Sequence, residues 1–247
     1  MLTPAKPFEL DYDLGIVVPV RRGSSRIRNK SMLPFGDADT LIEWKLAQLT
    51  QVIDPRRIYL NSEDDEFLEI GRRFGVSLIK REEYLARDHD APVRDLITGV
   101  VRDVPHAHIA WCTVVCPLMP PAEYRDAFLA YGRDVVERGA FDSLVGVNLH
   151  KEYFWMDDGP LNYTADRNHT ISQDLPDLYK VTNSIYMYAK DKILKREYFI
   201  GENPILHRLS KLSGVDIDYI EDYRMARALH AIYAEDHLEL ELASAQA

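Results

Sequence analysis

The feature that most constrains the fold is an alternation of short apolar runs with amphipathic segments. The first run, Gly15 to Val20, is rich in β-branched residues and carries no charge, which is typical of a strand buried on both faces. Repeated strand–helix alternation favours a mostly parallel sheet with helices on both faces, an α/β fold. The predicted strands span residues 15–20, 58–60, 76–79 and 109–115, and the predicted helices span residues 41–53, 67–74, 95–103 and 121–138.

The stretch from Phe141 to Ala189 departs from this pattern. Residues 143–147 and 184–188 are predicted strands, and the residues between them are rich in Tyr, Trp, Asn, Asp and His. A connection this long inside a compact domain usually carries function. We therefore expect residues 148–183 to form an inserted arm, acting as a lid or an interface.

Size and charge limit the classes of protein. The 247 residues, 46% of them hydrophobic, can bury one substantial core, so residues 1–247 are predicted to form a single domain. After a predicted helix at residues 220–233, residues 235–247 are expected to form a loosely ordered tail. A net charge of −10 argues against a protein that coats nucleic acid or an anionic membrane.

The cysteines and the apolar runs indicate the cellular compartment of the protein. The longest apolar run, Ile109 to Met119, is too short to span a bilayer, and residues 1–13 lack the pattern of a secretory signal. The two cysteines, Cys112 and Cys116, lie in that run and are predicted to be buried, reduced core residues. These features predict a cytoplasmic protein without a membrane partner.

The first strand leads directly into a basic segment, Arg21 to Lys30, which we call the basic loop. It carries five Lys or Arg residues and no acid, so the remainder of the chain carries −15. Ligands of open α/β sheets bind outside the carboxyl ends of strands, where this loop is predicted to lie. Gly23 permits close approach of backbone N–H groups, and Ser24 and Ser25 add hydroxyl donors. This composition suits a polyphosphate, and neither a P-loop nor a dinucleotide fingerprint is present.

A second candidate motif is Asp216-Ile217-Asp218. In an extended segment, residues two apart project to the same side, so both carboxylates can face one cation. Two hard oxygen ligands suit Mg²⁺, which keeps several waters and takes its other ligands from phosphates. Together with the basic loop, this pair would complete a site for a metal-bound polyphosphate.

The segment from Val18 to Lys30 resembles the opening motif of the cytidylyltransferases that activate acidic sugars. These are the CMP-sialic acid synthetases, or acylneuraminate cytidylyltransferases, and their relatives that make CMP-KDO. Arg21, Ser24, Arg26 and Lys30 match the family positions that hold the triphosphate of CTP. The resemblance continues at residues 60–64, 81–88, 114–118, 172–176, 184–186 and 215–218.

The resemblance implies a nucleotidyltransferase with a Rossmann-like fold and a dimerisation arm, which transfers CMP from CTP to an acidic sugar. It implies Mg²⁺ as cofactor and a homodimer, with no nucleic acid as partner. The implied catalytic residues are Arg21, Lys30 and Asp218, with the metal on Asp216 and Asp218. The implied nucleotide-binding residues are Arg21, Gly23, Ser24, Arg26, Lys30, Asn61 and Arg81, and the acceptor-binding residues are Gln173, Lys180 and Asn183.

Departures from the family pattern fall mainly on the acceptor side. Ser25 and Ser31 stand where sialate enzymes usually have Lys and Asn, Thr113 and Met119 replace Gln and Arg, and Thr182-Asn183 replaces Asn-Gly. The acceptor is therefore left open between a nonulosonic-type acid and another anionic compound. Two further alternatives are a glycosyltransferase that uses the Asp-x-Asp pair on a nucleotide sugar, and a nucleotide-binding protein without turnover.

An aromatic group lies in the predicted arm. It has two interpretations, a platform for the acceptor or the packing of a homodimer interface, and the second is favoured because aromatic side chains anchor interfaces. Its members are Tyr153, Phe154, Trp155, Tyr163 and Tyr179.

Overall fold

A computed structural model of the chain describes residues 9–24, 26–86 and 91–245, with side chains as far as Glu235. Strands and helices alternate along its first half. The strands are β1 Leu14–Pro19, β2 Ile58–Ser62, β3 Ser77–Lys80, β4 His108–Cys112, β5 Ser143–His150, β6 Trp155–Met156, β7 Gly159–Pro160, β8 Leu178–Ala189 and β9 Pro204–Arg208. The helices are α1 Leu41–Thr50, α2 Asp65–Arg73, α3 Val93–Val101, α4 Pro121–Tyr131, α5 Lys190–Arg196 and α6 Ile220–Ala245.

Seven of these strands form one sheet in the order β3-β2-β1-β4-β8-β5-β9. The pairs β1–β2, β1–β4, β2–β3 and β5–β9 are parallel, and only β8 runs antiparallel to its neighbours β4 and β5. The predicted mostly parallel sheet is therefore confirmed. Strands β6 and β7 form a separate small hairpin between β5 and β8.

Helices cover both faces of the sheet, as predicted. Ile16 and Val18 of β1 belong to the core cluster shared with α1, α2, α4 and α6, whereas Val17 belongs to the cluster shared with α3 and α5. This division follows from the alternation of side chains along a strand. It also explains why β1 contains no charged residue, since both of its faces are covered.

The order of the strands creates a crevice at the carboxyl ends of β1 and β4. The chain passes from β1 to β2 and β3 on one side of β1, and then returns to place β4 on the other side. Ligands of such sheets bind at the point where the strand order reverses. The basic loop follows β1 and residues 113–119 follow β4, so both segments border this crevice.

Several predicted boundaries were wrong. Strand β4 ends at Cys112 rather than near residue 115, and β8 starts at Leu178, six residues before the predicted strand. The arm between strands is therefore residues 151–177. Helix α5 and strand β9 were not predicted. Helix α6 continues to Ala245, beyond the predicted end at residue 233, because the added stretch contains no Gly or Pro and is rich in helix-favouring Glu, Leu and Ala. The loose order of residues 235–247 stays a prediction.

Three side chains of α1 hold the segment that follows β4. The Trp44 indole donates to the Pro117 carbonyl at 2.7 Å, and the Gln48 amide donates to the same oxygen at 2.8 Å. The Lys45 ammonium, fully buried, donates to the Cys116 carbonyl at 2.9 Å and to the Tyr124 hydroxyl at 2.6 Å. These hydrogen bonds satisfy backbone carbonyls that are not paired in the sheet, and they hold residues 113–119 at the crevice.

Lys45 gives a prediction for stability. Burial lowers its pKa to about 8, below the value of about 10.4 for lysine in an unfolded chain. The folded state therefore binds fewer protons than the unfolded state between these values, and the free energy of unfolding rises with pH there. We expect a contribution of about 1 kcal/mol per pH unit between pH 8 and 9.5, measured by urea unfolding, and its loss in Lys45→Met.

Lys195→Met, which removes an exposed lysine of α5, is the matched control and should keep the wild-type slope. An unchanged slope in Lys45→Met would show that Lys45 does not titrate in this range. Comparison with wild type removes the contributions of the buried tyrosines and cysteines, which are common to all three proteins.

Candidate active site

A cleft of about 220 Å³ lies in the crevice at the carboxyl ends of β1 and β4, and we call it the strand-end cleft. Arg21, Ser24, Arg26 and Lys30 of the basic loop line it, together with Thr113 to Val115 after β4. All four residues predicted to hold a triphosphate thus share one cleft.

The Asp216-Ile217-Asp218 segment, which we call the carboxylate segment, contacts three residues that line this cleft. Its backbone is held by the Ile217 N–H, which donates to the Val115 carbonyl at 2.9 Å. Lys30 Nζ donates to the Ile217 carbonyl at 2.5 Å and lies 3.5 Å from Asp218 Oδ1. Arg26 Nη2 forms an ion pair with the same Asp218 oxygen at 2.7 Å. The basic loop and the carboxylate segment, both predicted to be functional, therefore meet.

Not all of the basic loop faces the cleft. Arg22 forms ion pairs with Asp64 and Glu66, and its guanidinium carbon lies 4.9 Å from the centre of the Phe67 ring. Its backbone N–H also donates to Glu63 Oε1 at 2.8 Å. Arg22 therefore fastens the loop to the start of α2, and the charge directed at the cleft is smaller than the +5 of the sequence.

Asp216 is positioned by a chain of polar contacts from β8. Asn183 Nδ2 donates to Asp216 Oδ2 at 2.5 Å, and the Tyr186 hydroxyl donates to Asn183 Oδ1 at 2.8 Å. Burial raises the pKa of the Asp216 carboxyl, the hydrogen bond from Asn183 opposes this shift, and repulsion from Asp218 adds to it. Asp216 Oδ1 is buried without a hydrogen-bonding partner among the described residues.

The donor set suits a hard divalent cation. No group of three or more His, Cys, Asp or Glu residues that could hold a metal occurs within the described ranges. Two carboxylates suffice for Mg²⁺, because it takes its remaining oxygens from water and substrate phosphates. An ion bound by Asp216 and Asp218 would satisfy the Asp216 oxygen that has no hydrogen-bonding partner among the described residues.

A bulge in β8 brings several of its side chains to this segment. The pairing of β5 with β8 shifts register between Val145 and Val147. Bulges re-aim side chains beside active sites. Here Asn183 reaches Asp216, and the Ser184 hydroxyl donates to the Ser213 carbonyl just before the carboxylate segment. The predicted acceptor residue Asn183 thus supports a candidate metal ligand.

A second cleft, of about 270 Å³, also borders the carboxylate segment. Asp216 lines it, while Asp218 contacts Arg26 and Lys30 of the strand-end cleft, so this segment joins the two. The predicted acceptor residue Lys180 lines the second cleft. Gln173 is exposed on the short turn Ser172–Asp174 and is not among its lining residues.

Sequence reasoning missed most of the second cleft. Among its lining residues are His150, Glu152, Lys211, Asp222 and Met225. They come from β5, from the arm, from the loop before residue 212 and from α6. No local spacing connects them, although the alternation of Asn148 and His150 at the end of β5 is a signal that could have been used.

Asn61 and Arg81, both predicted to bind the nucleotide, contact the backbone of Val20 just before the basic loop. Arg81 is buried, and its Nη2 donates to the Val20 carbonyl at 2.7 Å and to Glu63 Oε2 at 3.0 Å. The Asn61 carbonyl accepts the Val20 N–H at 3.0 Å. Both amide atoms of the buried Asn61 side chain, and Nε of Arg81, have no hydrogen-bonding partner among the described residues.

The other residues predicted to act in the basic loop have fewer contacts that bear on their roles. Arg21 Nη1 donates to the Ala86 carbonyl at 3.1 Å, which ties the loop to the turn after Arg81. A Cβ added to Gly23 would approach only that carbonyl, at 3.8 Å, so close backbone approach of a ligand there stays a prediction. Ser25 and the end of the 81–88 segment lie outside the described residues.

A family model described as cytidylyltransferase matches residues 15–112. The flagellin modification protein B of Campylobacter coli, named for post-translational modification, is 21% identical over 215 residues, covering 85% of this chain and 91% of that protein. The CMP-N,N'-diacetyllegionaminic acid synthase of Campylobacter jejuni is 20% identical with the same coverage. The pseudaminic acid cytidylyltransferase of that species is 21% identical, covering 89% of this chain and 97% of the relative.

Solved structures share the fold. CMP:2-keto-3-deoxy-manno-octonic acid synthetase in complex with CTP aligns with a TM-score of 0.60 and 14% identity, over 88% of this chain and 98% of that one. A 4-diphosphocytidyl-2C-methyl-D-erythritol synthase from Anaerococcus prevotii aligns with a TM-score of 0.59 and 12% identity, over 88% and 96% of the two chains.

No described helix is long and apolar enough to cross a membrane. The family match and the relatives confirm the predicted resemblance to the cytidylyltransferases.

Proposed function

We propose that the protein transfers CMP from CTP to an acidic sugar of the nonulosonic-acid type and releases pyrophosphate. The observation that carries the proposal is the contact of Arg26 and Lys30 with Asp218, which joins the basic loop of the strand-end cleft to the carboxylate segment. A cradle of positive charge next to a candidate cation site suits a nucleoside triphosphate. The names of the curated relatives support CTP and an acidic sugar as the two substrates.

In this reaction the anomeric hydroxyl of the acceptor attacks the α-phosphorus of CTP, and pyrophosphate leaves from the opposite side. Negative charge grows on the leaving oxygens, and fixed cations stabilise it best in a site that excludes water. Arg21, Ser24, Arg26 and Lys30 line the strand-end cleft and would bind the triphosphate. Asn61 and Arg81, with their unpartnered buried atoms, would bind the cytosine base.

Asp216 and Asp218 would hold Mg²⁺. The bound ion would neutralise phosphate charge and polarise the reacting oxygens. The chain's own contribution is to hold the two carboxylates in place, through Asn183 on Asp216 and through Arg26 and Lys30 on Asp218.

The second cleft would receive the acceptor. Lys180 supplies positive charge for a carboxylate, and its Nζ also lies 3.4 Å from the Gly214 carbonyl, just before the carboxylate segment. An acceptor in this cleft would be next to Asp216 and hence close to the cation. Gln173 remains a predicted acceptor residue, from the resemblance alone.

The arm would serve a homodimer, as the resemblance implies. Among the described residues of the arm, Trp155, Met156, Leu161 and Ile171 expose more than half of their surface. Trp and Met are enriched at interfaces, and the buried centre of an interface is more apolar than the rest of the protein surface. The cytoplasmic location stays a prediction.

A pyrophosphate-release assay tests the proposed function. With CTP, Mg²⁺ and a panel of 2-keto acid sugars, we expect pyrophosphate release that depends on both CTP and one class of acceptor. ATP, GTP and UTP serve as nucleotide controls. Absence of CTP binding would contradict the proposal, and consumption of a nucleotide sugar without pyrophosphate release would favour the glycosyltransferase alternative.

A further inference from the structure

Buried polar atoms without a hydrogen-bonding partner gather around the two clefts. The described residues contain seven such side-chain atoms, and six of them belong to Asn61, Arg81, His150 and Asp216. Unsatisfied buried atoms in a folded protein require an explanation, such as a ligand or an ion that completes them. The proposed function accounts for Asn61, Arg81 and Asp216, and it leaves His150 without a role.

His150 lies in the wall of the second cleft. It follows Asn148 by two residues on β5, so both side chains lie on the same face of the sheet. Lys180 of β8 is the cross-strand partner of Asn148, which makes it a diagonal neighbour of His150. All three residues line the cleft that Asp216 also lines. His150 is therefore placed on the acceptor side of the candidate metal site.

The ring of His150 has a carboxylate beside one nitrogen. Glu152 Oε2 lies 3.5 Å from Nδ1, and the edge of the ring packs against Phe154 with 5.9 Å between ring centres. A carboxylate next to Nδ1 favours the tautomer in which Nδ1 carries the hydrogen and Nε2 holds a lone pair. Nε2, which has no hydrogen-bonding partner among the described residues, is then the nitrogen that can accept a proton in the cleft that His150 lines.

The other ionisable side chains of this cleft are engaged or carry the wrong charge. Lys180 and Lys211 are cations, Asp216 accepts the Asn183 amide, and Asp222 accepts the backbone N–H groups of residues 218 and 219. The Glu152 carboxylate lies 3.5 Å from His150 Nδ1 without a hydrogen bond, and it can pair with that ring once the ring is protonated. Imidazole is the side chain that takes up and releases a proton near neutral pH.

We propose that His150 is a catalytic residue that accepts the proton of the attacking acceptor hydroxyl, an inference that rests on the proposed function. The hydroxyl oxygen forms a bond to the α-phosphorus while the bond from that phosphorus to the bridging oxygen breaks. Pyrophosphate leaves with the electron pair of the broken bond. The hydroxyl proton passes to His150 Nε2 and then to solvent, while Glu152 stabilises the protonated ring.

The test compares His150→Gln and His150→Ala with the control His169→Gln, which alters an exposed histidine of the arm. General-base catalysis contributes about 10²–10⁴ in rate, so we expect kcat to fall by about 10²–10⁴ in both His150 variants. The affinity for CTP should stay within about threefold of wild type, since His150 is not among the residues of the strand-end cleft. Added imidazole should partly restore the rate of His150→Ala.

The pH profile separates proton transfer from a structural role. With CTP, Mg²⁺ and acceptor at saturation, wild type should lose rate on the acidic side of neutrality, and His150→Gln should lack this loss. Variant rates within threefold of wild type would overturn the inference. A wild-type rate that does not change from pH 5.5 to 7.5 would also overturn it, and this result does not depend on whether the variants fold. If wild type released no pyrophosphate with any acceptor, the proposed function would fail as well.

Discussion

Asp218→Asn is expected to lower kcat for pyrophosphate release by about 10²–10³, because it weakens binding of the cation that would stabilise the negative charge developing on the leaving oxygens. The substitution keeps the shape of the side chain but removes the charge that would bind Mg²⁺ and that pairs with Arg26 at 2.7 Å. Higher Mg²⁺ concentrations should recover part of the rate, because the remaining carboxylate of Asp216 binds the ion more weakly. Steady-state rates across a Mg²⁺ titration measure both effects.

The fold should tolerate this change. Asp218 is partly exposed, and its backbone N–H bond to Asp222 Oδ2, at 3.0 Å, does not involve the side chain. Thermal unfolding should therefore match wild type within a few degrees. Glu221→Gln makes the same carboxylate-to-amide change at an exposed position three residues further on and should keep full activity. A rate near wild type for Asp218→Asn would show that the metal site is elsewhere.

Lys30→Ala is expected to lower kcat/KM for CTP by about 10²–10³. Two losses act together here. The ammonium is a compact charge for the triphosphate, and its bond to the Ile217 carbonyl at 2.5 Å also holds the carboxylate segment in place. Lys30→Arg should restore only part of the rate, because the Lys30 side chain is only 12% exposed and the guanidinium is a larger, planar group.

The matched control is Arg28→Ala, which removes an exposed positive charge from the same loop. It should change kcat/KM by less than threefold at physiological ionic strength, because a surface charge in water is screened. Equal losses in the two variants would mean that the loop acts through its total charge rather than through a contact made by Lys30. The CTP dissociation constant, measured by calorimetry, separates binding from catalysis in both.

The central strands and both site motifs could be predicted because their signals are local. The charge-free run at β1 reports burial on both faces, and a basic loop directly after it must lie at the sheet edge where ligands bind. Asp216 and Asp218 needed only an extended backbone to share a face. Strand β9 was not predicted because its five residues include Pro, His and Arg and only two aliphatic side chains, so it lacks the apolar pattern of a strand.

The second cleft could not be predicted for a different reason. His150, Lys180 and Lys211 come together only through the pairing of β5 with β8 and the course of the loop after β9. The register shift that directs Asn183 to Asp216 depends on how two strands pair, which is a property of neither strand alone. Asn183 consequently was assigned to the acceptor from the resemblance, whereas its observed partner is a candidate metal ligand.

Local patterns in the sequence specify the α/β fold, the position of the basic loop at a strand end and the carboxylate pair. Which charges face the cleft depends on the tertiary structure. Arg22 is neutralised by Asp64 and Glu66 of a neighbouring segment, whereas Lys30 meets Asp218 from 188 residues away. The physical reason is that secondary structure and burial follow from neighbours in the chain, while the electrostatics of a site depend on distances in space.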